Sequence, residues 1–149
     1  MKIELRPNQK LSVLVVDDEA DIRETLRMFL EMMEVFTFIV EAVDGSDGFK
    51  KAQNQQFDFI ITDLMMPKVK GIEFIENYNA YENSMKKERK TPFVILSANV
   101  TGDEVKRAIE MGVRYVITKP CTADQFIQKV QEVLIKHCRE KIKVLKGDS

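Results

Sequence analysis

Neither sign of charge dominates this chain: 23 basic residues stand against 24 acidic ones in 149 positions. That balance excludes the strongly basic surface on which nonspecific nucleic-acid binding depends, so no direct nucleic-acid contact is expected. Long apolar runs are also missing. No stretch approaches the roughly 20 residues that span a bilayer, and the opening "MKIELRPNQK" lacks the apolar core of a signal peptide. The expectation is a soluble, cytoplasmic protein with no membrane insertion. Cysteine and histidine are scarce. Cys121 and Cys138 are too few for a disulfide framework, and His137, the only histidine, completes no zinc-type spacing. Both thiols are expected to be reduced and structural, and His137, on the inner stripe of the last helix, structural as well. The length suits one domain around a single core.

What is present is an alternation of short apolar runs with amphipathic segments. Leu11 to Val16 is a β-branched run suited to a strand buried on both faces. Ile22, Leu26, Phe29, Leu30 and Met33 then recur at i, i+4, i+7, i+8 and i+11, one stripe of a helix. Met28 and Met32 fall off that stripe. Phe36 to Val43 predicts the second strand, "DGSDG" a turn opening a helix, and "FDFIITD" the third strand. A helix from Gly71 to about Met85 follows, then the polar "ENSMKKERK", then a fourth strand, "FVILSA". Thr101 and Glu104 have the spacing of a capping box for a fourth helix ending near Gly112. "RYVITKP" is the fifth strand, and Phe126, Ile127, Val130, Val133 and Leu134 stripe a last helix. "KHCREKIKVLKGDS" predicts the end of that helix and a frayed tail, with Ile142, Val144 and Leu145 leaving room for a homodimer or partner contact.

Five strands alternating with five helices specify an α/β fold: a doubly wound parallel sheet in the order 2-1-3-4-5, flavodoxin-like, with helices on both faces. Residues 1–10 are expected as an N-terminal extension, 11–138 as the domain and 139–149 as a C-terminal helix extension or tail.

In such sheets ligands sit beyond the carboxyl ends of the strands. Asp17 and Asp18 follow the first strand, Asp63 ends the third, Ser97 the fourth and Lys119 the fifth. Alone, the first two acids could be a solvated strand end or a helix cap; together the five converge on one pocket. Two carboxylates about 4 Å apart repel by about 4 kcal/mol at an effective dielectric near 20, a cost that a divalent cation removes. Hard oxygen donors without thiolate or imidazole favour Mg²⁺ or Mn²⁺ over zinc. A carboxylate can attack phosphorus to give an aspartyl phosphate, for which Lys119 and Ser97 supply donors.

"VVDDE", "ITDLMMP" with Gly71, "ILSAN" and "ITKP", in this order, resemble the receiver domain of two-component response regulators, in the stand-alone, chemotaxis-regulator-like form. The resemblance spans about Leu11 to Cys138. It implies Asp63 as phosphoacceptor, Asp17 and Asp18 as metal ligands with Asp63 and the Met65 backbone carbonyl, and Ser97 and Lys119 on the phosphoryl oxygens. It further implies Pro120 as a cis proline orienting the lysine, Ala98 as a small residue leaving access for donors, and Met65 and Asn99 as positions tuning dephosphorylation. The implied partners are a histidine kinase or phosphotransfer protein, and a target bound on the face of the fourth helix, fifth strand and fifth helix. No output domain is expected to follow, and no enzyme activity beyond the receiver's own phosphoryl uptake and slow autodephosphorylation.

The sequence departs from the family where an aromatic switch residue often stands three places before the lysine. Val116 is there, and Tyr115, one place earlier, is expected on the opposite face of the sheet. That departure keeps open a second reading, a pseudo-receiver that binds partners without phosphorylation. A third, an Mg²⁺-dependent phosphohydrolase with an aspartyl-phosphate intermediate, would want a second acid two residues after Asp63, where Met65 stands.

Overall fold

The computed structural model describes residues 1–145. Five parallel strands form its centre: β2 (Ser12–Val16), β3 (Phe38–Ala42), β4 (Phe59–Asp63), β5 (Phe93–Ser97) and β6 (Tyr115–Thr118), in the order β3-β2-β4-β5-β6. The expected order of the doubly wound sheet is therefore observed. β2, β4 and β5 are buried at every residue, which is why they read as unbroken apolar runs rather than alternating ones.

Strand alternation divides the interior into two layers. Val13, Val15, Phe59, Ile61, Val94 and Leu96 meet α1 (Ala20–Met32) and α5 (Ala123–His137) on one face. Leu14, Val16, Ile60, Phe93 and Ile95 meet α2 (Gly45–Asn54), α3 (Gly71–Ser84) and α4 (Asp103–Glu110) on the other. Met28 and Met32 lie off the α1 stripe and are exposed. Both cysteines are free; Cys138 is buried, which pushes its thiol up to about 12 and leaves it inert near neutral pH. Among the described residues no helix is long and apolar enough to cross a membrane.

Two expectations fail. Thr101 and Glu104 make no capping box, because α4 begins one residue later than their spacing requires, with Gly102 at its N-cap. The Thr101 hydroxyl instead donates to Asn99 Oδ1 at 3.1 Å. The helix does end as expected, with Gly112 just past its C-cap at φ +100°. A capping box does form at α5, where Thr122 and Gln125 cap each other reciprocally.

The chain ends are the second failure. Among the described residues the expected C-terminal helix extension is not found: α5 stops at His137, and β1 (Lys2–Leu5), within the N-terminal extension, pairs antiparallel with β7 (Ile142–Leu145). Ile142 and Ile3 are buried in the α1/α5 layer, with Val144 and Leu5 partly buried against it. Alternation with Lys143 is a strand period, and burial of Ile3 and Ile142 contributes about 1.5–3 kcal/mol each. The last four residues of the expected tail, 146–149, lie outside the described residues.

The polar segment between α3 and β5 is anchored by a side chain inside the domain. Glu82 is fully buried and accepts hydrogen bonds from the Thr91 N–H (3.1 Å), the Thr91 hydroxyl (2.8 Å) and Lys87 Nζ (3.3 Å). Lys87 also lies over the Tyr78 ring, 5.6 Å from its centroid. Glu82→Ala leaves the buried Thr91 donors without their acceptor and the Lys87 ammonium, which keeps Gln56 Oε1 at 2.7 Å, without its carboxylate partner; it is expected to cost about 2–4 kcal/mol, with Glu82→Gln milder because it keeps an acceptor. Urea midpoints of the two variants check this; an alanine variant as stable as the parent would remove Glu82 as the anchor.

Candidate functional site

The strand order reverses between β2 and β4, and the acidic residues lie just beyond their carboxyl ends. Asp17 follows β2 and is fully buried, its N–H donating to the Ala42 carbonyl on β3 at 3.1 Å. One carboxylate oxygen accepts from the Glu19 N–H at 2.9 Å and the other from Lys119 Nζ at 3.0 Å. Asp63, last in β4, is almost as buried; one oxygen accepts from the Met65 N–H at 3.0 Å and the other from Lys119 Nζ at 2.9 Å. Lys119 thus bridges the two buried acids. Asp18 is exposed, yet one oxygen from each of Asp17, Asp18 and Asp63 falls within 4.8 Å of the others.

Backbone contacts hold this arrangement. The Lys119 N–H donates to the Ser97 carbonyl at 2.9 Å, joining the ends of β5 and β6, and the Lys119–Pro120 peptide is cis. Gly71 opens α3 directly behind Asp63, its N–H donating to the Leu64 carbonyl at 3.2 Å. Arg23, on α1, donates to the Asp17 carbonyl at 2.7 Å and pairs with Glu41 on β3 at 3.2 Å. The roles of Gly71 and Arg23 escape a reading of the sequence; a glycine at a helix start gives a hint, but the spacing of Arg23 gives none because its partners come from other elements.

Burial is the largest influence on Asp17 and raises its carboxyl above the ordinary range, only partly offset by the Glu19 N–H and Lys119; the charge of Asp63 adds to the rise. For Lys119 burial works against the charge, but the hydrogen bonds and attraction of Asp63 and Asp17 outweigh it and hold the ammonium above its ordinary range. Three oxygen donors, one solvent-facing, with no thiolate or imidazole among them, match the chemistry of a hard divalent cation.

The remaining residues fall around this cluster. Ser97 is buried, but its hydroxyl is turned back on the loop, donating to the Asn99 carbonyl at 3.0 Å and accepting from the Asn99 N–H at 3.1 Å. Ala98, Asn99 and Met65 are exposed at the rim.

Tyr115 and Val116 lie on opposite faces of β6, as the alternation requires. Val116 packs in the α2/α3/α4 layer and Tyr115 in the α1/α5 layer. The Tyr115 hydroxyl hydrogen-bonds His137 Nε2 at 3.0 Å, with the rings edge to face. Burial pushes the imidazole below its ordinary 6.5, assisted by Arg89, Lys136 and Arg114. Because the folded imidazole binds protons less readily than the unfolded one, its contribution to stability is present above about pH 6.5 and is lost as the pH falls through the folded value. His137→Gln is expected to flatten that acid-side loss, measured as urea midpoints at about pH 5 and about pH 7.5. Equal pH dependence in parent and variant would place the loss elsewhere.

A family model for the response regulator receiver domain matches residues 13–131. The transcriptional regulatory protein ResD of Bacillus subtilis is 35% identical over 124 residues, covering 82% of this chain, and the chain spans about half (47%) of ResD's length. A probable chemotaxis protein CheY from Rhizobium etli is 32% identical over 125 residues, covering 84% of this chain and 93% of that protein. Among solved structures, the CheX–CheY–BeF3–Mg complex from Borrelia burgdorferi superposes with a TM-score of 0.73 at 26% identity, covering 83% of this chain and 89% of that one. The sheet order, the acids at its switch point and the matched span agree, and the chain belongs to the response regulator receiver domain family.

Proposed function

We propose that the chain is a receiver whose Asp63 accepts a phosphoryl group from the phosphohistidine of a histidine kinase or phosphotransfer protein. The observation that carries this reading is Lys119 Nζ bridging Asp17 and Asp63 within an acidic cluster that Asp18 completes. A carboxylate oxygen of Asp63 attacks phosphorus; the new P–O bond forms as the P–N bond breaks, and the departing imidazole nitrogen takes up a proton. The Met65 N–H and Lys119 hold the Asp63 carboxylate in one orientation, and Lys119 then stabilises charge on the phosphoryl oxygens. Ser97 donates to the phosphoryl group by giving up the Asn99 carbonyl it now binds.

Asp17, Asp18, Asp63 and the Met65 carbonyl would hold Mg²⁺ or Mn²⁺, which supplies positive charge against both the carboxylates and the transferred group. The presence of Mg and BeF3 in the Borrelia complex supports this assignment. Ala98 leaves the approach to Asp63 open, and Asn99 and Met65 at the rim set the rate of phosphoryl loss. The target binds on the face of α4, β6 and α5, where Ile109 is exposed, and Val116 takes the place of an aromatic switch. Ile142, buried in the β1–β7 ribbon, is removed from the surface a homodimer could use.

Intact-protein mass spectrometry after acetyl phosphate tests the proposal. The expected result is a gain of one phosphoryl group with Mg²⁺ and none without it. No gain would favour a pseudo-receiver, and multiple turnover of p-nitrophenyl phosphate would favour a phosphohydrolase.

A further inference from the structure

At the amino ends of β5 and β6, opposite the phosphoacceptor, a cavity of about 360 Å³ opens between α3, the α4–β6 turn and α5. Its apolar wall includes Pro92, Phe93, Met111 and Val113, and the polar groups along it include Asn79, Asn83, Lys90, Arg114, Tyr115 and His137. Among the described residues no acidic one lines it. Among the described residues neither Lys90 nor Arg114 has a carboxylate partner; Lys90 bonds only the neutral Asn83 amide. Two unpaired cations facing one concave space leave a positive potential that a bound anion would neutralise.

The geometry points to a binding site for a small organic phosphate bearing a flat ring, of mononucleotide size. Arg114 offers a planar fork for two phosphate oxygens and Lys90 a point charge beside it. The apolar wall accepts the flat body of the ligand, and the Asn79 and Asn83 amides can each donate and accept at a heterocycle's edge. The volume lies within the range of small-molecule sites, about 300–1,000 Å³. Inorganic phosphate alone would use the cations and leave the apolar wall in water.

His137 provides a reporter, since it is the only histidine and its ring lies at the cavity. It is flanked by Arg89 from the α3–β5 segment, Lys136 on its own helix, Arg114 from the α4–β6 turn and the Tyr115 hydroxyl on β6. Neutralising Arg114 with a bound anion removes one of the charges that oppose its protonation.

The test titrates adenosine 5′-monophosphate, adenosine and inorganic phosphate into the full chain in metal-free buffer, reading the His137 ring nitrogens by NMR. Adenosine monophosphate is expected to give a saturable shift and to raise the titration midpoint of His137 once bound. Adenosine and inorganic phosphate should each bind at least about tenfold more weakly. Arg114→Gln, an exposed position whose loss leaves the core intact, should weaken the monophosphate by about tenfold with an unchanged melting curve. No saturable shift at about 10 mM monophosphate would overturn the site, and inorganic phosphate binding as tightly as the nucleotide would overturn the organic ligand. Equal nucleotide affinity in parent and variant would remove Arg114 from the site and overturn the proposal. The comparison of the three ligands on the parent protein stands whether or not the variant folds.

Discussion

Asp63→Asn is expected to take up no phosphoryl group from acetyl phosphate under conditions in which the parent protein is expected to load. The amide oxygen carries no charge and is a poor nucleophile, so the step that forms the P–O bond is lost rather than slowed by a modest factor. The substitution also disturbs the site's hydrogen bonding. Asp63 accepts through both oxygens, one from the Met65 N–H and one from Lys119 Nζ. Asparagine has a single oxygen, so a donor must face either the backbone N–H or the ammonium. Lys119→Ala serves as the contrast: the nucleophile survives, so some uptake remains, but the bridge to Asp17 is gone and the response of the target-binding face is expected to fail. Mass spectrometry of the three proteins side by side decides the matter, and label retained in Asp63→Asn would falsify the acceptor assignment.

Gly71→Ala is expected to destabilise the domain by about 2–4 kcal/mol and to slow phosphoryl uptake with it. A Cβ built on Gly71 would lie 2.1 Å from the Asp63 carbonyl oxygen, 2.7 Å from Leu64 Cα and 2.9 Å from the Asp63 carbonyl carbon. All three are backbone atoms, so no rotamer change relieves the clash. The groups that must move belong to Asp63, the proposed phosphoacceptor, which would tie the stability loss to the chemistry. Gly112 is the useful control. Its φ of +100° strains any other residue, but a Cβ there meets nothing within 4 Å, so Gly112→Ala is expected to cost only about 1–2 kcal/mol and to leave uptake intact. Urea midpoints and uptake rates separate the two cases, and a Gly71→Ala variant as stable as the parent would sink the close-approach argument.

Much of this molecule was legible one segment at a time. Apolar runs marked the strands buried on both faces and a 3.6-residue stripe marked α1, because these signals arise within a few consecutive residues. Gly112 announced the end of α4 for the same reason. The capping box was misplaced because a one-residue change in where α4 starts moves Thr101 from the N-cap to the position before it, and no local pattern settles that choice. The β1–β7 ribbon escaped notice because its two strands have four residues each and stand at opposite ends of the chain. Only pairing gives either one a reason to be extended.

At the site the same division holds. The sequence by itself determined the order of the five central strands and the five helices, the sheet that follows from it, and which acids, hydroxyl and lysine stand at strand ends, since a strand's last residue is a property of the strand. The tertiary structure alone decided that Lys119 bridges Asp17 and Asp63, that Ser97 is turned onto Asn99, that Gly71 lies against Asp63, and that Tyr115 reaches His137. Apart from the Ser97–Asn99 contact, which is local to the loop after β5, each of these joins groups on different elements over distances of a few ångströms. Such distances are set by how the packed layers come to rest against one another, and neither periodicity nor spacing along the chain encodes them.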